Sequence, residues 1–237
     1  MNARTPIRGL AVAISGASLA LPCAALAGNG GVPAPAPGGT VPVNPGFALT
    51  ARHGLFLGGT LRISGTARSA AGKAIQVQER RGSAGTWLPI ALVTADSSGS
   101  FSTSWRPASA GEFSIRGLLP GAKASDAGSS SAPRTVLVYR AELATWYGPG
   151  FYGRRTACGQ RLTRSLVGVA HRRLRCGTPV EIVYRGHTIV APVVDRGPFA
   201  PKARWDLTAA AARQIGMTVT SRIGAAPLDL SLRPPAV

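Results

Sequence analysis

Carboxyl groups are scarce in the C-terminal part of this sequence, so any acid-base chemistry there depends on very few side chains. Asp195 follows the apolar run "IVAPVV" and precedes "RGPF", which places it where a buried strand ends in a tight turn. Burial raises the pKa of such a carboxyl group and the adjacent Arg196 lowers it, and the sequence leaves that balance open. General acid or base catalysis is the chemistry that Asp195 would support, and bonding of turn amides is the structural alternative.

A second carboxyl group, Asp206, opens the segment "DLTAAAARQIG". The alanine-rich turns and Gly216 at the end predict a short helix with Asp206 as its N-cap, and this capping role competes with a catalytic one.

Two histidines are the remaining candidates for a role in catalysis or binding. His171 lies in the basic segment "GVAHRRLRCGT", and His187 in "YRGHT" is predicted to lie at a hairpin turn without a functional role.

The start of the chain and the cysteine count together predict a disulfide. The chain begins with basic residues, an apolar run and a small-residue site before Gly28, which predicts a secretory signal peptide over residues 1–27. A membrane anchor is the alternative, but the run is broken and short for a membrane span. Cys23 would leave with the signal, and Pro22 before it argues against lipid attachment there. Cys158 and Cys176 then form an even pair in an oxidising compartment, which favours a disulfide.

Other roles for these cysteines are weaker. A nucleophile pair of Cys158 and His171 is disfavoured because a secreted thiol with a second cysteine nearby is usually oxidised. A zinc site is disfavoured by the absence of a CxxC motif and of a close histidine pair. We therefore expect no metal and no cofactor.

The elements that must position these residues fall into two modules. Residues 28–45 are rich in Gly, Pro and Ala and predict a linker. Residues 46–140 contain short alternating runs separated by turn segments, which is typical of an immunoglobulin-like β-sandwich with six or seven strands. Residues 141–237 combine short β-like runs with one helix and predict a small β-barrel. The fold class is therefore mainly β.

The net charge of +18 indicates a polyanionic partner. A secretory signal, arginines spread over both modules and the absence of an aromatic and basic stacking motif argue against nucleic acid. An anionic cell envelope fits the charge better, and solubility alone is the remaining alternative.

The C-terminal module resembles the rare lipoprotein A (RlpA) family. The resemblance rests on separated segments in the family's order, which are "ATWYGPGFYGRRTACGQRL", "GVAHRRLRCGTPVEIVY", "VVDRGPF" and "WDLTAAAARQIGM". It implies a six-stranded double-psi β-barrel, a fold shared with expansins and barwin-like proteins. It also implies lytic transglycosylase activity on peptidoglycan glycan strands without stem peptides, at septa and during separation of daughter cells.

The resemblance also implies roles for individual residues. It places the aspartate of the family's "DRGP" motif at Asp195, the aspartate that opens its helix at Asp206 and the histidine of its "AAH" segment at His171. We expect Asp195 to act as the acid and then the base, with Asp206 and His171 orienting it or stabilising oxocarbenium charge. Substrate-binding residues are expected at Gln160, Tyr147 and Arg196.

One motif departs from the family. Where the family has "TANGE", with an acid expected to take part in catalysis, this sequence has "TACGQ". Gln160 can form hydrogen bonds but cannot transfer a proton. Cys158 replaces the asparagine, and its pairing with Cys176 would add a disulfide across the groove.

The sequence is therefore compatible with three functions. The first is an exported, monomeric lytic transglycosylase that acts on glycan strands in the cell envelope, with division proteins as candidate partners. The second is an expansin-like module that binds or loosens glycan without cutting it, which the lost acid favours. The third is a basic structural protein of the envelope.

Overall fold

The computed structural model describes residues 46–126 and 128–229. The predicted signal peptide, the predicted linker and the last eight residues lie outside this range. The described residues are mainly β, as predicted. None of their helices is long and apolar enough to cross a membrane.

The first half of the described chain consists of short strands and one 3₁₀ turn at Arg68–Ala70. The strands are β1 (Phe47–Ala51), β2 (Gly54–Phe56), β3 (Leu61–Ala67), β4 (Ala74–Arg81), β5 (Leu88–Thr94), β6 (Ser100–Trp105) and β7 (Gly111–Leu118). The second half contains β8 (Arg134–Tyr147), β9 (Val169–Ala170), β10 (Pro179–Tyr184), β11 (His187–Asp195), β12 (Trp205–Thr208), helix α1 (Ala209–Gln214) and β13 (Ser221–Pro227).

Two sheets in the first half share one apolar core. One sheet has the order β1-β3-β6, and the other has the order β5-β4-β7-β8, with β2 parallel to β8. Alternation along the strands places one set of side chains between the sheets, including the fully buried Ile63, Ile75 and Ile115. The turn segments that divide the sequence into runs correspond to the connections between these strands.

A closed six-stranded barrel with one helix forms the second half. The ring runs β8-β13-β10-β11-β9-β12 and closes by pairing of β12 with β8. The β8/β12 and β9/β11 pairs are parallel, and the other pairs are antiparallel. Apolar side chains fill the interior, with Ile182, Leu207 and Ile223 among the most deeply buried.

Strand β8 belongs to both halves. It is 14 residues long. Its first part pairs with β7, the middle pairs with β13, and its last residues, Ala144 to Tyr147, pair with β12. The boundary predicted between residues 140 and 141 falls inside this single strand. The last residues of the strand, Thr145, Trp146 and Tyr147, lie at one end of the barrel.

A buried carboxyl group fastens the two halves together beside β8. Glu181 of β10 is only 2% exposed. Its Oε1 accepts a hydrogen bond from the Tyr139 hydroxyl at 2.5 Å and lies 3.1 Å from Nε2 of His53. Tyr139 also belongs to a small apolar cluster with Leu137, Ala226 and Leu228. Polar and apolar contacts thus meet at the same junction.

The helix begins later than the sequence indicates, and the predicted N-cap is wrong. Asp206 lies inside β12, and Thr208 is the N-cap, with its side chain accepting a hydrogen bond from the Ala211 amide. Thr208 also accepts from the Gly168 amide at 3.2 Å. Strand pairing of residues 205–208 with β8 overrides the local helical tendency. Asp206 therefore does not cap helix α1. His187 does begin β11 beside the hairpin turn, as predicted.

We predict that Tyr139→Phe destabilises the protein by about 1–3 kcal/mol, because the buried Glu181 carboxyl group loses a hydrogen-bond donor. Tyr184→Phe is the matched control, since its hydroxyl bonds Ser221 in a partly buried contact at 3.2 Å. That variant should cost less than about 1 kcal/mol. Urea unfolding measures both, and equal losses would contradict the role given to the junction.

Candidate active site

Asp195 ends β11 in a site rich in hydrogen-bond donors. Its Oδ1 accepts from the backbone amides of Ala157 and Arg196, both at 2.8 Å. Its Oδ2 accepts from the Tyr147 hydroxyl at 3.3 Å. All three groups donate hydrogen bonds to this carboxyl group, and two of the donors belong to the backbone. The side chain bonds turn amides, as one alternative predicted, and it also contacts a second candidate residue.

Strand β9 brings the second carboxyl group to the same place. Ala170 pairs with Asp195 on one side and with Asp206 on the other. Since neighbouring strands lie about 4.8 Å apart, the two aspartate backbones are separated by about 10 Å across β9. Asp206 Oδ1 accepts a hydrogen bond from the Thr145 hydroxyl at 2.7 Å.

The surroundings of Asp206 favour its protonated form. Burial raises the pKa of this carboxyl group, the hydrogen bond from Thr145 opposes that change, and the charge of Asp195 adds to it. The same environment raises the pKa of the Tyr147 hydroxyl, first by burial and then by the charge and hydrogen bond of Asp195. Tyr147 therefore keeps its proton and remains a donor to Asp195.

His171 follows Ala170 and is held as a neutral imidazole. Its Nδ1 accepts from the backbone amides of Arg173 at 3.2 Å and Leu174 at 3.0 Å, so the proton of the neutral ring lies on Nε2. The ring packs against Trp205 with centroids 4.6 Å apart.

Burial and nearby charges reinforce the neutral state of His171. Burial lowers the pKa of the imidazole, Glu142 opposes this, and Arg204, Arg196 and Arg172 lower it further. Arg196, predicted to bind substrate, donates from Nη1 to the His171 carbonyl at 3.3 Å. Its guanidinium group thus has a structural partner within the site.

The turn at residues 156–160 closes over Asp195 and is fastened by the predicted disulfide. Cys158 is bonded to Cys176, with Cα atoms 5.6 Å apart. The bond joins the turn whose Ala157 amide contacts Asp195 to the loop that follows His171. Gln160 is exposed at the end of the turn, and its Oε1 accepts from the Thr156 hydroxyl at 3.1 Å.

The structure thus assembles five of the predicted site residues directly. Asp195, Asp206, Tyr147, His171 and Arg196 are linked by hydrogen bonds, strand pairing or electrostatic interaction. Gln160 is joined to this group through its turn, in which the Ala157 amide bonds Asp195. Sequence reasoning missed Thr145 and Trp205, which touch Asp206 and His171. Thr145 precedes Trp146, and Trp205 precedes Asp206, within the segments quoted above. Their contacts depend on the strand register.

Comparison with known proteins shows what this barrel is similar to. Residues 140–230 match a family model described as lytic transglycolase. A Synechocystis protein named probable endolytic peptidoglycan transglycosylase RlpA is 42% identical over 101 residues, covering 42% of this chain and 31% of that protein. The barrel is of the RlpA-like, double-psi type.

Other relatives match over a similar number of residues. The probable endolytic peptidoglycan transglycosylase RlpA of Aquifex aeolicus is 38% identical over 92 residues, covering 38% of this chain and 39% of the relative. The endolytic peptidoglycan transglycosylase RlpA of Campylobacter jejuni is 34% identical over 92 residues, covering 38% and 32%. The chain therefore spans about a third of the length of these relatives. A solved structure, Streptomyces papain inhibitor, aligns with 24% identity, a TM-score of 0.30, and coverage of 37% of this chain and 94% of that one.

The candidate site of the RlpA-like barrel contains two carboxyl groups and one imidazole. Among residues 46–126 and 128–229, no group of three or more His, Cys, Asp or Glu side chains is arranged to hold a metal ion. The candidate groups are one carboxylate surrounded by donors, one carboxyl group that favours its proton, and one neutral imidazole. Such an arrangement can donate a proton and stabilise positive charge nearby.

We predict that replacing both Cys158 and Cys176 by serine destabilises the RlpA-like barrel by about 3 kcal/mol, the value expected for closing a loop of this length. The bond joins residues 18 positions apart. Urea unfolding of the double variant, and of the wild type under reducing conditions, measures the loss. An unchanged midpoint in both would contradict a stabilising role.

We also predict that Asp195→Asn lowers the pKa of Asp206. Asp195 carries a negative charge that opposes ionisation of Asp206, so neutralising it makes loss of the Asp206 proton easier. Carboxyl carbon chemical shifts followed by NMR through a pH titration measure the effect. Asp96→Asn, on the exposed surface of the first half, is the control and should leave the titration of Asp206 unchanged.

Proposed function

We propose that this protein is an exported lytic transglycosylase that cleaves peptide-free peptidoglycan glycan strands and leaves 1,6-anhydromuramic ends. The observation that carries the proposal is the pairing of Asp195 and Asp206 with the same residue of β9, where Asp195 accepts three hydrogen bonds and burial raises the pKa of Asp206. The relatives named endolytic peptidoglycan transglycosylases support the reaction class. The double-psi barrel supplies the site.

The contacts favour Asp206 as the proton donor. The sequence predicts Asp195 as the group that transfers the proton, but its carboxyl oxygens already accept hydrogen bonds from two amides and a hydroxyl. The protonated Asp206 would give its proton to the glycosidic oxygen as the bond from that oxygen to C1 of the muramic acid breaks. The leaving sugar then departs with a free hydroxyl group.

Asp195 and His171 would act at the next stage, when positive charge develops on the sugar ring. The ionised Asp195 would stabilise the positive oxocarbenium centre at C1, and the neutral His171 can donate from Nε2 to a sugar oxygen. The C6 hydroxyl of the same muramic acid attacks C1, and its proton passes to the Asp206 carboxylate. The anhydro ring closes, and Asp206 recovers its starting state. Neither water nor a covalent enzyme intermediate is required, in contrast to the two-carboxylate schemes of ordinary glycosidases.

The basic surface around the site supports an anionic substrate. Exposed arginines occupy the loop that carries the 156–160 turn and the loop after His171; they are Arg154, Arg155, Arg161, Arg172, Arg173 and Arg175. Glycan strands without stem peptides carry a free carboxylate on each muramic acid. The rim therefore favours such strands over neutral polysaccharides.

The rest of the chain is assigned by inference. The strand order of the two sheets supports an immunoglobulin-like sandwich over residues 46–140, serving as a spacer or support. Export by the signal peptide, residence in the cell envelope, monomeric state and action at septa with division proteins remain predictions.

A second candidate function is glycan binding or loosening without cleavage. Gln160 favours it, because an exposed amide stands where the resembling family carries an acid. The two functions differ in their products, since only the first leaves anhydro ends.

We predict that the mature protein releases anhydromuramic ends from purified peptide-free glycan strands, detected by mass spectrometry. Asp206→Asn and Asp195→Asn should each lower the rate by about 100-fold or more, the usual contribution of a positioned acid or charge. Asp96→Asn should leave the rate unchanged. Sedimentation with sacculi but no anhydro ends from the wild type would favour the binding function instead.

The pH dependence separates the roles of the two aspartates. A proton donor is lost as pH rises through its pKa, so Asp206 sets the alkaline limb of the rate profile. Neutralising Asp195 lowers that pKa, and the alkaline limb of the residual activity of Asp195→Asn should move to lower pH. A shift to higher pH would contradict the assignment.

A further inference from the structure

A pocket lies beside helix α1 and the end of β8. Its volume is about 530 Å³, within the range of about 300–1,000 Å³ typical of small-ligand sites. Trp146 and Tyr147 are adjacent residues of β8, so their side chains leave the strand on opposite faces. Tyr147 contacts Asp195, and Trp146 lines the pocket. The end of β8 therefore separates the pocket from the two carboxyl groups.

Two aromatic rings form the walls of this pocket. Trp146 is 39% exposed, and its Nε1 donates to the Thr218 carbonyl at 3.1 Å, which fixes the indole. The Arg164 guanidinium group lies over the ring of Tyr152, with its Cζ 5.2 Å from the ring centroid. The buried side chains of Ala212 and Met217 supply an apolar lining between the walls. Fixed aromatic walls with an apolar lining suit the apolar face of a sugar ring.

The rim of the pocket is cationic. Arg164 and Arg213 both line it and are exposed, and no acidic residue is among its described lining. Arg213 donates from Nη2 to the Arg164 carbonyl at 2.6 Å, which holds its guanidinium group beside the opening. A guanidinium group presents paired donors that match a carboxylate. The ligand that completes this pocket therefore carries a negative charge beside an apolar ring face.

We propose that this pocket binds an acidic saccharide, with a sugar ring stacked on Trp146 and its carboxylate held by Arg213 and Arg164. It would hold a glycan strand at a point outside the catalytic cleft. The assignment of the saccharide rests on the proposed function, because a peptide-free glycan strand supplies such a sugar at every muramic acid. The pocket and its chemistry are separate from the residues that carry out cleavage.

Binding is tested with two soluble disaccharides and the Asp195→Asn protein, in which turnover is suppressed. One contains N-acetylmuramic acid with a free carboxylate, and the other is the same disaccharide with that carboxylate converted to an amide. Calorimetry gives the affinities, and the indole N–H resonance of Trp146 reports binding in the pocket. We expect the acidic disaccharide to bind at least about tenfold more tightly and to shift that resonance.

Variants assign the interaction to individual residues. Arg213→Gln should reduce affinity for the acidic disaccharide about tenfold and leave the amide form unchanged. Trp146→Leu should weaken both ligands, and thermal unfolding checks that the barrel remains folded. Arg222→Gln, which neutralises an exposed arginine of β13 outside this pocket, is the matched control and should change neither affinity.

The outcomes separate this proposal from the proposed function. Equal binding of the two disaccharides, or an unchanged affinity in Arg213→Gln, would overturn the pocket assignment while cleavage by the wild type still stands. Selective binding at Trp146 without anhydro ends from the wild type would support the pocket and overturn the cleavage. In the supported case, Arg213→Gln loses more cleavage efficiency on long strands than on short soluble fragments.

Discussion

The hydrogen-bond ladders along strand β8 are the constraint on which the rest of the structure depends. One strand pairs with β7 in the first half and with β13 and β12 in the barrel, so the two apolar cores cannot shift independently along it. The contact of Tyr139 with Glu181 and the apolar cluster around Leu137 secure the same junction. Because β8 also carries Thr145, Trp146 and Tyr147, the placement of the site and of the pocket beside helix α1 follows from its pairing.

The difference between the two aspartates arises from what each finds at its strand position. Asp195 lies at a strand end, where free backbone amides and Tyr147 are available as donors. Asp206 lies within a strand, where backbone donors are used in pairing and Thr145 supplies a side-chain hydrogen bond. The folded state binds the Asp206 proton more tightly than the unfolded chain does, so the stability contribution of Asp206 falls as pH rises above its ordinary pKa of 3.8. The site thus retains at neutral pH a group that works against folding.

Some of this site was predictable from the sequence because its signals are local. An apolar run followed by a Gly-Pro turn places Asp195 at a strand end, and an even cysteine pair predicts the bond between Cys158 and Cys176. Asp206 was misassigned as a helix cap because the adjacent alanines carry a strong helical signal, while its pairing with β8 and β9 is long-range. Thr145 and Trp205 were missed for the same reason. Their neighbours are set by register between distant strands, which no local pattern contains.

Strand β9 is only two residues long, yet it pairs with both β11 and β12. The chain can therefore accept insertions at some positions near β9 but not at others. An insertion in the loop after His171 would be absorbed at the surface, where it alters neither pairing. One extra residue between Gly168 and Ala170 would displace the residue opposite both aspartates in a single step. Homologous chains should accordingly vary in loop length on either side of this segment and keep a fixed count within it.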